Sequence, residues 1–318
     1  MRKLKILTAA LIAVSVTSCA KSGKDKVVKQ RYVHKYGVEV ASDDWSSRGE
    51  DGQVITTLAD GVKVTKQYAR GRLHGETNYT FPHSDTIQRI EVYDNGRLAK
   101  TTYNSENGWP SEEIRIISPT QTELTKWFES SSPQSVETYE GDCLVIGEYY
   151  TPENQLESRV DNGDGLRIVR DFYGTHLYNE KISNGFPVMQ LTYHPNGVLK
   201  SETPLVRGTI EGTRQTYCPS GEPQTSESWI GGKQHGLTVI YKNGTVWREI
   251  PYVEGRKEGV EKIYRDGNRV AEEITWFEGK KHGPHRRYIE DVVKTEWFYK
   301  DGLMPRPAKD QYISQDND

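Results

Sequence analysis

The sequence has little of what builds deep cores and reactive sites. Hydrophobic residues make up 34% of its 318 residues, and it contains only 3 cysteines. It has no Gly-x-Ser-x-Gly motif, no glycine-rich phosphate loop ahead of a helix and no zinc-type cysteine spacing. These absences argue against an enzyme, and we expect no catalytic residue, no bound metal and no cofactor.

The N-terminal segment is predicted to be a targeting signal. A basic start, MRKLK, precedes an apolar stretch of 11 residues, ILTAALIAVSV, which is too short to span a bilayer as a mature helix. Small residues then lead to Cys19 in VTSC. This order resembles a bacterial lipobox, which implies removal of residues 1–18 and anchoring to a membrane through acyl chains on Cys19. The alternative is an ordinary secretory signal followed by an incidental cysteine.

The predicted mature chain is mildly acidic. Removal of residues 1–18 takes away three basic residues and no acidic one, so the net charge of −3 becomes −6. Such a chain is not expected to bind nucleic acid. Residues 19–48 are predicted to form a lipidated tether and an N-terminal cap. Ala20 after Cys19 resembles the outer-membrane address of enterobacterial lipoproteins, which would apply if the source is Gram-negative.

A repeat dominates the rest of the chain. The motif GKQHG at Gly232 recurs as GRKEG at Gly255, as GKKHG at Gly279 and as GRLHG at Gly71. Opening positions recur every 22 to 25 residues and define eleven units of about 23 residues within residues 49–302. A fixed period of this size indicates a repeat architecture. The units open at Gly49, Gly71, Gly96, Ser118, Gly141, Gly163, Gly185, Gly208, Gly232, Gly255 and Gly279.

Each unit carries two apolar or aromatic positions with a turn between them. The turns contain Asn-Gly, Asp-Gly or Ser-Gly, as at Gly197 and Gly244, and the flanking runs are short and β-prone. We therefore predict an all-β protein: an elongated antiparallel meander of β-hairpins, forming a single-layer twisted sheet. Neither aromatic column is required to form a globular core. Nine residues after the opening position lie Trp127, Tyr150, Phe172, Tyr217, Tyr241, Tyr264 and Tyr288; three before the next lie Tyr68, Tyr93, Trp229, Tyr252, Trp276 and Tyr299.

The regular units are similar to variant MORN repeats of the bacterial antitoxin-like family. The matching stretches are GKQHG…YKNG…EIPYVEG and GRKEG…YRDG…EITWFEG. The similarity is good over residues 185–302 and poor over the degenerate residues 96–185, while residues 303–318 form a polar C-terminal tail. The resemblance implies a β-hairpin array with a scaffolding or binding role and transfers no catalytic residue. An antitoxin role does not fit an exported lipoprotein.

Several polar positions could suggest chemistry. His74, His235 and His282 share one repeat position, where Glu211 and Glu258 also occur, so we predict that they stabilise turns and do not bind metal. The acidic pairs Glu112–Glu113 and Glu272–Glu273 are expected to point to opposite faces of the sheet as solvated charges. Cys143 and Cys218 lie about three units apart, on the order of 29 Å in a regular sheet, and are predicted to be free thiols.

The main functional hypothesis is a non-catalytic, membrane-anchored envelope lipoprotein that acts as an elongated protein-binding scaffold. The candidate binding residues form an aromatic stripe on the second strands of the regular units: Trp229, Tyr252, Trp276 and Tyr299. Because a single-layer sheet cannot cover both of its faces, we expect a protein partner or self-association. One alternative is a glycan- or peptidoglycan-binding module that uses this stripe, and another is a hydrolase within residues 96–185.

Overall fold

The computed structural model describes residues 26–265 and 269–304. These form one open antiparallel sheet of 26 strands, with a single short helix, α1 (Ser42–Ser47). The predicted all-β meander of hairpins is confirmed. The predictions for the signal peptide, for Cys19 and for residues 305–318 lie outside the described residues. No helix in the described ranges is long and apolar enough to cross a membrane.

The chain divides into two compact units. Unit 1 comprises the described residues up to Leu177 together with Ile182–Phe186. Its strands are β1 (Val27–His34), β2 (Glu39–Val40), β3 (Gly52–Leu58), β4 (Lys63–Ala69), β5 (Arg72–Thr80), β6 (Ile87–Asp94), β7 (Arg97–Asn104), β8 (Pro110–Ile116), β9 (Gln121–Trp127), β10 (Pro133–Glu140), β11 (Cys143–Tyr150), β12 (Leu156–Asp161) and β13 (Asp164–Arg170). The next two strands, β14 (His176–Ser183) and β15 (Phe186–Tyr193), contribute residues to both units.

Unit 2 comprises Tyr178–Lys181 and the described residues from Pro187 onward. The strands that lie wholly within it are β16 (Leu199–Val206), β17 (Thr209–Ile210), β18 (Gly212–Tyr217), β19 (Pro223–Ile230), β20 (Lys233–Lys242), β21 (Thr245–Val253), β22 (Arg256–Lys257), β23 (Gly259–Arg265), β24 (Arg269–Phe277), β25 (Lys280–Ile289) and β26 (Val292–Tyr299).

The first glycine of the motif lies in the turn that connects one hairpin repeat to the next. Gly255 follows Glu254, and both have positive φ angles, 81° and 48°, as a tight two-residue hairpin turn requires. The Gly255 N–H then donates to the carbonyl of Gln234, 2.8 Å away in β20 just after the preceding turn. Equivalent bonds run from Gly279 to Lys257 and from Gly302 to Lys281. One repeat of about 23 residues is therefore the length of chain needed to place each connecting turn beside the previous one.

The second glycine of the motif lies opposite an aromatic residue. Gly259 has a φ of 106°, and a Cβ there would meet the Pro251 ring at 3.2 Å. Glycine is needed for this backbone conformation, and Pro251 on the neighbouring strand leaves little room for a side chain there. The pairs are Gly75 with Tyr93, Gly212 with Trp229, Gly236 with Tyr252, Gly259 with Trp276 and Gly283 with Tyr299.

Unit 1 has a hydrophobic core in the degenerate part of the repeat. Leu144, Tyr149, Val160 and Ile182 are buried together, with Tyr139 and Ile168 packed against them. Loops at one end of these strands also meet: the Glu129 N–H donates to the Phe172 carbonyl at 2.9 Å, and Phe128 is buried. Residues some forty positions apart thus come into contact, which a flat ribbon would not allow.

Unit 2 buries a row of single residues along one face of its sheet. These are Thr238, Ile250, Glu261, Ile274 and His285, which lie on β20, β21, β23, β24 and β25. Thr238 pairs with Ile250, and Ile274 pairs with both Glu261 and His285. We call this the buried face of unit 2 and the opposite side its outer face.

Candidate functional site

The predicted aromatic stripe lies on the buried face of unit 2. Trp229, Tyr252, Trp276 and Tyr299 occupy the ends of β19, β21, β24 and β26, and all four are half-buried. Trp276 lies two residues after the buried Ile274 and therefore shares its face. The structure thus places the four rings at the same position of successive hairpins.

Charged groups of the protein hold these rings in place. The Trp229 Nε1–H donates to Glu227 at 3.1 Å, the Lys257 ammonium lies 4.4 Å from the Trp276 ring centroid, and the Lys281 ammonium lies 5.1 Å from that of Tyr299. Burial, and then the neighbouring Glu261 carboxylate, raises the pKa of Tyr252 above its usual value. The two ammonium groups each lie over one face of a ring, at Trp276 and at Tyr299. The stripe therefore makes much of its contact within unit 2.

The outer face carries a second column that sequence analysis missed. Apolar side chains lie two residues before the opening glycines of the regular repeats, next to the stripe but pointing to the other face. No strand among the described residues covers them. We call Val206, Ile230, Val253 and Phe277 the outer apolar column; their exposed fractions are 57%, 52%, 38% and 52%. Leu237, Val260 and Phe298 on the same face are also exposed. The sequence did carry a signal for this column, because its apolar residues recur at the same position of each regular repeat.

Tyrosine hydroxyls and carboxylates line the rest of the outer face. The Tyr264 hydroxyl donates to Glu249 and the Tyr288 hydroxyl to Glu273, both at 2.7 Å. Burial, followed by the hydrogen bond to Glu249, raises the pKa of Tyr264 to about 12. The outer apolar column therefore has a polar, hydrogen-bonded surface along one side.

The acidic pairs do point to opposite faces, but they are not solvated charges. Glu273 accepts from Tyr288 on the outer face, whereas Glu272 contacts His285 and Arg287 on the buried face, where its side chain is 20% exposed. Glu113 is 14% exposed and contacts Lys100 and Arg115. The prediction of solvated charges is wrong because cross-strand cations and hydroxyl groups cover these carboxylates.

The repeated histidines lie near the connecting turn that follows the next hairpin. The Nδ1 atom of His282 lies 3.3 Å from the Asp301 carboxylate, that of His74 lies 3.5 Å from Asp94, and that of His235 lies 3.7 Å from Glu254. Glu211, at the same repeat position, accepts the Gly231 N–H at 2.7 Å. The hydrogen bonds that His74 and His282 accept from the N–H groups of Asn95 and Asp301 agree with the predicted turn-stabilising role, whereas the buried Nδ1 atom of His235 has no hydrogen-bond partner among the described residues.

Two other features of the described residues bear on chemistry. No group of three or more His, Cys, Asp or Glu side chains in this part of the chain could hold a metal ion. Cys143 and Cys218 are both free thiols. A cavity of about 530 Å³ lies in unit 1 beside Lys35 and Asp51, but these two side chains are paired with each other at 3.0 Å.

A buried carboxylate in unit 1 was also missed. The Glu137 side chain is 2% exposed and contacts the Arg167 guanidinium at 2.7 Å and 3.1 Å. The hydroxyl groups of Tyr139 and Tyr149 donate to the same carboxylate at 2.8 Å and 2.9 Å. Burial, and then the Glu137 charge, raises the pKa of Tyr149 above its usual range. With its oxygens bonded and closed to solvent, this carboxylate supports the core and offers no open acid or base.

Comparison of the sequence with family models finds no matching family. Comparison with curated proteins likewise finds no match.

Proposed function

We propose that the protein is a non-catalytic lipoprotein of the bacterial cell envelope. It is tethered through acyl chains on Cys19 and binds a protein partner on the outer face of unit 2. Its repeats belong with the MORN-like hairpin arrays that its motifs resemble, and Ala20 favours the outer membrane in a Gram-negative cell. The observation that carries the binding role is the outer apolar column, whose members are 38% to 57% exposed.

The layout of the outer face suits a protein partner. Neighbouring members of the outer apolar column lie about 10 Å apart, because each hairpin repeat adds two strands to the sheet and each member lies on the second of them. Exposed apolar groups in a contiguous row, bordered by hydrogen-bonded polar groups, are typical of protein interfaces. The bonded Tyr264–Glu249 and Tyr288–Glu273 pairs supply such a border. An extended surface of this kind would be contacted by several side chains of one partner at once.

A photo-crosslinking experiment in cells tests the binding face. A benzophenone amino acid placed at Phe277, on the outer face, is expected to give a specific protein adduct. The same group at the neighbouring Trp276, on the buried face, is the matched control and is expected to give none. A Val253→Asp change should abolish the adduct at position 277.

Cell-wall binding separates this proposal from the glycan alternative. If the aromatic stripe bound peptidoglycan, saturable retention on purified cell wall would be lost in Trp276→Ala and kept in Phe277→Ser. That result, together with no protein adduct at position 277, would overturn the protein-binding proposal.

The three cysteines allow a controlled test of lipidation. Radiolabelled palmitate should enter the chain and its Cys143→Ser and Cys218→Ser variants, but not Cys19→Ser, which should also leave the membrane fraction. Label that persists in Cys19→Ser would contradict the proposed anchor.

A further inference from the structure

The first described strand and the turn that follows it form an exposed surface of unit 1. β1 pairs with β3 along its length, and β2 lies on its other side only at Tyr32 and Val33. Residues 26–31 and 35–39 are all exposed. We call these two exposed stretches the basic end of unit 1. Their composition differs from that of the chain as a whole.

The basic end carries positive charge on an acidic protein. Whereas the predicted mature chain has a net charge of −6, the basic end contains one acidic residue, Glu39, and four basic residues. The basic residues are Lys26, Lys29, Arg31 and Lys35. An anionic surface would therefore be attracted to this part of the molecule more than to the rest of it.

Two of the four cations have no ion-pair partner. Arg31 lies 3.6 Å from Glu39, and the Lys35 ammonium lies 3.0 Å from the Asp51 carboxylate. Lys26 and Lys29 form no such pair with any of the residues that the structure describes. Their ammonium groups are thus available to an anionic partner without the loss of a contact within the chain.

Large apolar side chains lie among these charges. Val28 and Tyr36 are 68% and 79% exposed, and Val27 and Val38 are 48% and 57% exposed. Exposed apolar groups beside lysines are typical of surfaces that lie in the interface of a lipid bilayer, where the ammonium groups reach the head groups. Tyrosine is enriched at the same depth, because its ring is apolar and its hydroxyl is polar.

The proposed anchor is attached close to this surface. Lys26 lies seven residues after Cys19, and a chain of that length spans at most about 25 Å. Acyl chains on Cys19 would therefore keep the basic end near the lipid head groups. A weak attraction is enough under these conditions, because tethering gives the surface a high effective concentration at the bilayer.

We propose that the basic end of unit 1 docks on the anionic phospholipid surface in which Cys19 is anchored. Lys26 and Lys29 contact the head-group phosphates, and Val28 and Tyr36 enter the interface beside them. The acyl chains hold the protein at the bilayer but do not orient it, whereas this second contact fixes how β1 lies against the membrane. The inference rests on the proposed lipid anchor for its setting.

Vesicle flotation measures the contact without the anchor. The test uses the predicted mature chain, residues 19–318, with Cys19→Ser, so that no acyl chain contributes. This chain should bind vesicles of phosphatidylcholine and phosphatidylglycerol in equal parts, and it should not bind vesicles of phosphatidylcholine alone. Binding should weaken as salt is added, because ions screen the attraction between exposed charges.

Charge variants of this chain identify the residues involved. Lys26→Gln with Lys29→Gln should weaken binding about tenfold or more, because each lysine near an anionic surface adds to the attraction. Lys242→Gln with Lys294→Gln is the matched control, since it removes the same charge from exposed positions of unit 2. The control should change binding less than about threefold.

A fluorescent label locates the surface that meets the bilayer. In the same chain with Cys143→Ser and Cys218→Ser, an environment-sensitive label on Val28→Cys should shift its emission to shorter wavelength when the phosphatidylglycerol vesicles are added. A label on Phe277→Cys, in the outer apolar column and 52% exposed at that position, is the matched control and should not shift.

Several results would overturn the inference. They are no binding to the phosphatidylglycerol vesicles, equal binding to phosphatidylcholine alone, equal losses in the two lysine variants, or a shift at position 277 without one at position 28. Because the acyl chains are absent from these tests, the basic end and the proposed anchor at Cys19 can fail separately.

Discussion

Units 1 and 2 use the same hairpin but place their apolar side chains differently. In the degenerate repeats of unit 1, Leu144, Tyr149, Val160 and Ile182 pack into one buried cluster. In the regular repeats of unit 2, buried residues such as Ile250 and Ile274 form a single row, and the outer apolar column stays on the surface. One repeat can therefore build a stabilising core or an exposed face.

Loops account for much of this difference. In unit 1 the Gln134 side-chain amide donates to the Asp171 carbonyl at 2.7 Å, which ties together strands that are far apart in sequence. In unit 2, the hydrogen bonds of turn residues join adjacent repeats, such as that from Gly255 to Gln234. Neighbour-only contacts make stability nearly a sum of local contributions, whereas a closed cluster makes several strands depend on one another.

The largest predicted contrast concerns the two buried glutamates. Arg167→Met removes the guanidinium from Glu137 and should lower the free energy of unfolding of unit 1 by about 3–5 kcal/mol. In unit 2 the Arg248 guanidinium contacts the buried Glu261 carboxylate. Arg248→Met should lower the free energy of unfolding of unit 2 by less, about 1–3 kcal/mol, because Glu261 keeps Lys257 at 3.0 Å. Urea unfolding of unit 1 and unit 2, each followed by hydrogen exchange, measures both.

A control checks that charge burial is the cause. Removing both charges, in Arg167→Met with Glu137→Gln, should recover part of the loss. Equal losses for the two arginine variants would show that the units do not differ in this respect.

Apolar truncations give the next contrast. Leu144→Ala in the unit 1 cluster should cost about 2–5 kcal/mol, because it leaves a cavity. Val253→Ala in the outer apolar column should change stability by no more than about 0.5 kcal/mol while weakening partner binding. Thermal unfolding by circular dichroism measures the first effect. A large loss of stability in Val253→Ala would mean that the column packs against something within the chain.

The two glycines of the regular motif should respond differently to substitution. Gly259→Ala should cost about 1–3 kcal/mol, because a side chain at its φ of 106° is strained and crowds Pro251. Gly255→Asn should cost about 0.5 kcal/mol or less, because asparagine accepts the left-handed turn and no atom lies near. Denaturant midpoints compare the two variants, and equal costs would contradict the roles assigned to the two positions.

Tyrosine titration gives the smallest effect. A raised pKa stabilises the folded state fully below the ordinary tyrosine value near 10, and this contribution is lost as the pH rises through the folded pKa. Tyr264 in unit 2, with a pKa of about 12, should ionise near that pH. Tyr149 in unit 1 should remain neutral there, because burial and Glu137 raise its pKa further.

Ultraviolet difference absorption of Tyr264→Phe and Tyr149→Phe checks this order. Only the Tyr264→Phe variant should lose a titration step near pH 12. Loss of such a step in Tyr149→Phe would contradict the tighter burial of unit 1.

The hairpins and their period could be predicted from sequence because they depend on local chemistry. The turn at Glu254 and Gly255 needs positive φ angles, and the ring of Trp276 lies opposite Gly259, so glycines and aromatics recur at fixed spacing. The core of unit 1 could not be predicted in this way. Its closure depends on contacts such as Glu129 with Phe172, which leave no periodic pattern.

The candidate site was predicted only in part. The stripe residues, such as Trp276, could be predicted because they recur at a fixed position of the repeat. The alternation of side chains along a strand does not tell which face of the sheet is covered. Phe277 occupies the next position and keeps the same period, yet its exposure depends on what packs above the outer face. The Glu137 network escaped notice for a related reason, because Arg167 lies thirty residues away in sequence.

Native-state hydrogen exchange of the full chain tests most directly the claim that one repeat builds a core in unit 1 and an open face in unit 2. The slowest amides of β10, β11 and β12 should share one opening free energy, because the buried cluster ties these strands together. Amides of β20 to β25 should exchange faster and in a graded series. If β20 to β25 exchanged together with β10 to β12 and equally slowly, the two units would form one cooperative core and the account would be contradicted.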